Sequence, residues 1–256
     1  MTRAILIGAA LVFIAVLVWA LQRQSRRIAA LQAHLEAAAR ELQNLQEACA
    51  RLAPAGVVQR LIADRADPGA ERKVVTALFS DLVGYTAMSE RLEPAVLARV
   101  MNGYFQRMSD AIHEHRGHVS TFVGDGILAF FGAIQHNPWQ CDDAVRAALA
   151  MRGAIRDYNK ELADEGLPPL AVGIGIHRGP GIAGLVGSRE RMEYAFVGRT
   201  VNLAARVQTL TRVHQVDVLV TEAVREHLDP RFVLSLMPPE AVKGIDEPVV
   251  TYAVRE

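Results

Sequence analysis

Cysteine is scarce. Cys49 and Cys141 are the only two in 256 residues, and they show no paired spacing. That excludes a disulfide framework and a cysteine-based zinc site, and it fits a reducing compartment for the bulk of the chain. An excess of one charge is lacking too, since 28 Lys and Arg balance 28 Asp and Glu. Without a global basic field, any anion must be bound locally rather than along a nucleic-acid-binding face. No internal repeat occurs at solenoid or propeller spacing. What is present is apolar residue content of 51%, enough for a sizeable core in one large domain or two small ones.

Part of that apolar content is concentrated at the N-terminus. Residues 4–21 carry no charged side chain, a run of about 27 Å as a helix, close to the thickness of a hydrocarbon core. Trp19 lies near its end, and Arg23, Arg26 and Arg27 follow, against Arg3 alone before it. The expectation is an uncleaved anchor over residues 1–22, single-pass in the cell inner membrane, with the rest cytoplasmic. A cleaved signal peptide is the rival, but no small-x-small cleavage site follows. Ile28, Leu31, Leu35, Ala38, Leu42, Leu45, Cys49 and Leu52 then alternate in steps of three and four. So narrow a stripe predicts a parallel dimeric coiled coil over 23–53, in preference to one amphipathic helix on its own domain. Pro54 ends the pattern, and 54–70 reads as a linker closing on Asp67-Pro-Gly69.

From residue 71 to 256 the chain reads as one domain. Strands are predicted over 73–80, 118–123, 127–131, 170–176, 193–197, 216–220, 232–236 and 249–254. Helices are predicted over 94–115, from Pro138 to about 163, and over 200–211. Gly124-Asp125-Gly126 between two strands is a hairpin signal.

Four segments carry candidate chemistry. In Phe79-Ser-Asp-Leu-Val-Gly-Tyr-Thr86, a strand delivers Asp81 at its end, and Gly84 lets the backbone turn before a helix begins at Thr86. Backbone N–H groups in such a turn cradle phosphates. Asp125 sits at the hairpin tip of Phe122-Val-Gly-Asp-Gly-Ile127. If the two carboxylates lie on neighbouring strands they converge, and a divalent cation resolves their repulsion, Mg²⁺ or Mn²⁺ by the hardness of the ligands. Taken singly, each aspartate is equally explained as a turn former. In Val197-Gly-Arg-Thr-Val-Asn-Leu-Ala-Ala-Arg206, Asn202 and Arg206 share one helical face, suited to a ribose and a phosphoryl group. Taken alone, they are an ordinary surface pair. Lys243 beside Gly244 lies in a loop between two strands, where it could contact phosphate.

In that order, these segments resemble the catalytic domain of the class III adenylyl/guanylyl cyclases, from about residue 71 to 254. Gly175-Ile-His-Arg-Gly-Pro180 and Arg191-Met-Glu-Tyr194 look like family segments too, and 60–68 looks like the short transducing element preceding many such domains. The resemblance implies an α+β fold with a ferredoxin-like βαββαβ core and a head-to-tail homodimer with active sites in the groove between protomers. It implies two Mg²⁺ or Mn²⁺ ions on Asp81, the Leu82 carbonyl and Asp125 of one protomer. The substrate site would involve Phe79, Gly84, Tyr85 and Thr86. Asn202 and Arg206 would come from the other protomer, with Lys243 on the β- and γ-phosphates. The implied function is an adenylate cyclase, converting ATP to 3′,5′-cyclic AMP and pyrophosphate. The alternatives are a guanylate or base-tolerant cyclase acting also on GTP, or a catalytically weak cyclase-like signalling module.

The departures fall on base selection. Thr121 stands where adenylyl cyclases of this family usually have lysine, and Ala195 where they have Asp or Thr. Guanylyl cyclases use Glu and a small polar residue or Cys, which this chain does not match either. One hydroxyl and a methyl predict weak discrimination between purines. Arg199 replaces a common Asp, and nothing in the sequence explains it. His177 reads as a packed structural histidine, and His113, His115 and His118 as solvated groups near a helix end.

Overall fold

The computed structural model describes residues 23, 24, 32, 34–41, 43 and 70–255, apart from 188–191, 243, 244 and 246. The chain divides into two units, Met1–Val58 and Gln59–Glu256. In the first, the described residues are helical. They fall in the predicted coil, and Leu35 of the seam is exposed. Among the described residues no helix is long and apolar enough to cross a membrane. The predicted span over 4–21, Cys49 and most of the heptad seam and linker lie outside them.

The described residues of the second unit form an eight-stranded sheet. Strand β1 (Glu71–Leu82) is followed by a short helix α1 (Tyr85–Ser89) and a long one, α2 (Pro94–Glu114). Next come β2 (His118–Val123), β3 (Gly126–Phe131), α3 (Gln140–Asp164) and β4 (Val172–Gly187). These form β1–α2–β2–β3–α3–β4, and their spatial order is β2-β3-β1-β4 with every neighbouring pair antiparallel. That is the expected ferredoxin-like core. Beyond it lie β5 (Met192–Val197), α4 (Arg199–His214), β6 (Val218–Thr221), α5 (Glu222–Arg225), β7 (Leu234–Leu236) and β8 (Thr251–Val254). Strand β6 pairs with β4 in parallel, and β5 folds back antiparallel on the distal half of β4.

The two faces of β1 read directly from its alternation. Leu78 and Leu82 turn towards α2 and α3, joining Met108, Ile112, Val145, Met151 and Ile176. Val75, Ala77 and Phe79 turn to the opposite face, with Leu128, Phe130, Phe196 and Ala204 of α4. Helix α4 buries Thr200, Ala204, Val207, Gln208 and Thr211, a stripe at helical spacing that lays it along the sheet.

Strand β4 runs eleven residues past the predicted end at 176. Its glycines read as breakers by propensity, yet here they serve a close approach. A Cβ on Gly175 would overlap the backbone of Gln208 and Ala204, and one on Gly173 would overlap Thr211. The absent side chains let α4 lie directly on the strand. Helix α4 itself runs three residues beyond the predicted Thr211, to His214, and Gln215 after it takes the left-handed region with φ +54°. After α2 the chain turns at Arg116, which takes a positive φ of 60°. Gly117 is needed because a Cβ there would strike Ile112 and Phe131.

Candidate active site

The end of β1 and the β2–β3 hairpin meet because β1 pairs with β3 through Ser80↔Ile127. That register sets Asp81 beside the hairpin tip. Gly84 and Gly124 both take positive φ, +77° and +63°. These are the conformations that glycine adopts without strain, turning the chain just beyond the strand that carries Asp81 and just before Asp125. The Leu82 N–H donates to Asp125 Oδ2 at 3.2 Å. The two aspartates are therefore brought together, as their spacing in the sequence could only suggest.

The electrostatics of the pair are unfavourable without a cation. Asp81 is pushed up to about 6, first by burial, then by the charge of Asp125 and a hydrogen bond with it, while Arg212 acts in the opposite direction. Two crowded carboxylates and an adjacent carbonyl offer three hard oxygen donors. Among the described residues no group of three or more His, Cys, Asp or Glu could form an all-protein metal cage. A set this short suits an ion that completes its shell with water and phosphate oxygens, as Mg²⁺ or Mn²⁺ does. The residues present thus fit the divalent metal that the resemblance implies.

Arg212, in the last turn of α4, was missed by sequence reasoning, which ended that helix one residue earlier. Its Nη2 donates to Asp81 Oδ2 at 2.8 Å and to the Leu82 carbonyl at 3.1 Å. Asn202 and Arg206 lie on the exposed side of α4, away from the sheet. Among the described residues neither has a hydrogen-bond or ion-pair partner. Phe79 is part-buried on the α4 face of the sheet. Tyr85 packs against the larger core, Thr86 is exposed, and the Thr86 carbonyl accepts from the Ser89 hydroxyl.

Of the base-selecting positions, Thr121 pairs with Leu128 and so shares the α4 face with Phe79. Ala195 is half-buried on β5. Its neighbour Phe196 packs on Phe130, ring centroids 5.3 Å apart, so the β4–β5 arm curls back over β3 towards the strand that carries Thr121. Lys243 lies outside the described residues. His177 is a packed histidine as expected: Nδ1 meets Thr221 Oγ1 at 2.9 Å, and burial drives it down to about 4. His118 is not solvated. It lies on β2, its Nε2 is buried without a partner among the described residues, and burial followed by His113 lowers it to about 4.

Asp81, Asp125 and the Leu82 carbonyl thus form a short set of hard oxygen donors at the end of a ferredoxin-like sheet. The chain belongs to the adenylate and guanylate cyclase catalytic domain family, whose model matches residues 69–256. It is 37% identical over 193 residues to the adenylate cyclase of Anabaena cylindrica, a match covering 73% of this chain and 38% of that protein. The chain therefore spans about two fifths of that relative's length. Among solved structures, the adenylyl cyclase CyaB of P. aeruginosa is 29% identical with a TM-score of 0.69, over 73% of this chain and 96% of that one. The guanylyl cyclase Cya2 is 34% identical with a TM-score of 0.66, over 73% and 93%.

Proposed function

We propose that this protein is an adenylate cyclase that converts ATP to 3′,5′-cyclic AMP and pyrophosphate in a homodimer with shared active sites. The observation that carries the reading is the meeting of Asp81 and Asp125 beside the Leu82 carbonyl, with Asp81 held at about 6. Two divalent ions bound there would lower the pKa of the ribose 3′-hydroxyl and neutralise charge on the α-phosphate. The rest falls to the protein's own side chains. The Asn202 carboxamide orients the ribose, offering a donor and an acceptor. The Arg206 guanidinium donates to α-phosphate oxygens as negative charge builds on them. Lys243 holds the terminal phosphates. The exposure of Asn202 and Arg206, with their own chain's Asp81 already bonded to Arg212, favours their acting on a partner's site.

ATP is preferred over GTP on the kinship with the Anabaena adenylate cyclase and CyaB. The kinship with Cya2, a guanylyl cyclase, together with Thr121 and Ala195, favours a margin that is small. Residues 1–22 anchor the chain in the inner membrane with the catalytic domain in the cytoplasm, and 23–53 pair two chains. Both raise the local concentration of the partner that completes each site.

The decisive assay incubates purified full-length protein with Mn²⁺ and either ATP or GTP and measures the cyclic product. Absence of product from both nucleotides overturns the enzymatic reading, and a sharp preference for GTP overturns the choice of ATP. Sharing of the site is tested by mixing Asp81→Ala and Arg206→Ala chains. Each is inactive alone, and random pairing restores about a quarter of wild-type activity, since half the dimers carry one intact site of two. No recovery on mixing means that each chain builds its site alone.

A further inference from the structure

Arg212 has no role in the chemistry above, yet it is bonded to the centre of it. Its Nη2 reaches Asp81 Oδ2 and the Leu82 carbonyl, two of the three oxygen donors assigned to the metal. Among the described residues it is the one cation in contact with the carboxylate pair. Its place is built rather than incidental. Asp81 lies opposite Gly173 in the β1–β4 ladder, and the missing side chain of Gly173 is what admits Thr211 of α4 against the strand. Arg212 is the next residue, so the packing of α4 fixes its Cα over the end of β1. It projects about 120° round the helix from Arg206 and about 9 Å further along the axis. The same helix thus presents one guanidinium outward and another to its own chain's carboxylates.

We infer that Arg212 is a resident counter-cation of the metal site, which a divalent ion must displace in order to bind. The inference rests on the reading of Asp81, Leu82 and Asp125 as the metal ligands. A guanidinium and a small divalent ion cannot share two oxygens: the ion sits about 2.1 Å from each, inside the space of Nη2, and the two cations repel. Arg212 has room to leave, since its side chain is 48% exposed. The arrangement offsets part of the carboxylates' charge at low metal concentration and makes metal occupancy depend on a competition within the chain.

The test measures Mn²⁺ binding to the full chain without nucleotide, counting free Mn²⁺ by electron paramagnetic resonance. The variants are Arg212→Met, which keeps the apolar stem and whose thioether is too soft a donor for Mn²⁺, Arg212→Lys, which restores a charge, and Asp81→Ala, which identifies the site. Arg212→Met should bind Mn²⁺ about fivefold tighter than wild type, the scale of one partly exposed charge-assisted bond, and Arg212→Lys should return towards the wild-type value. Unchanged or weaker binding by Arg212→Met, at a site that Asp81→Ala abolishes, overturns the inference and leaves the metal reading intact. If no chain shows Asp81-dependent binding, the inference falls together with that reading.

Discussion

Replacing Asp81 by asparagine should stabilise the protein at neutral pH while removing its metal site. The carboxyl stands at about 6 in the fold against an ordinary 3.8. A folded-state value above the unfolded one means that ionisation opposes folding. The cost is absent below pH 3.8, where the group is protonated in both states, grows between 3.8 and 6, and is complete above 6. The full difference corresponds to about 3 kcal/mol, and the partial exposure of the side chain lets water reduce it to about 1–2 kcal/mol. Burial and Asp125 outweigh the opposing pull of Arg212, which sets the sign. Asparagine keeps the shape and an oxygen for Arg212 to bond but carries no charge. Urea unfolding followed by circular dichroism, without divalent ions, should show Asp81→Asn more stable than wild type at pH 7.5 and equal to it near pH 4. Equal or lower stability at pH 7.5 would mean that the bond to Arg212 dominates the repulsion between the carboxylates.

The buried histidines act in the opposite direction. His177 falls to about 4 from 6.5, so its contribution is complete above pH 6.5 and is lost as the pH drops towards 4. His177→Asn should lessen acid destabilisation in that window by about 2–3 kcal/mol, and parallel wild-type and variant curves would count against it. Gly175→Ala should lift α4 off β4, costing about 3 kcal/mol by overpacking and depressing activity with it. A loss below 1 kcal/mol in urea titration would show that the helix has slack. Combining Thr121→Lys with Ala195→Asp should raise the ratio of kcat/KM for ATP over GTP about tenfold by supplying charged base contacts. An unchanged ratio would move base reading to other residues.

Much of this site is legible in the linear chain because its parts are local. Strand alternation puts Asp81 on a known face, the Gly-Asp-Gly hairpin presents Asp125, and the spacing of Asn202 and Arg206 follows from the turn of a helix. Turn chemistry and periodicity act over a few residues, so they are written where they operate. The continuation of β4 through its glycines was decided elsewhere, by a helix that needs a side-chain-free surface and has no signature within the strand. The curl of β5 onto Phe130 and the bond from Arg212 to Asp81, 131 residues apart, are likewise products of packing alone. So is the perturbed carboxyl, since burial and the nearness of another charge exist only once the two strands and α4 have closed around it. Local pattern along the chain specifies which groups could do the chemistry. Packing sets which of them meet, and at what electrostatic cost, because contacts between distant residues depend on the fit of whole elements.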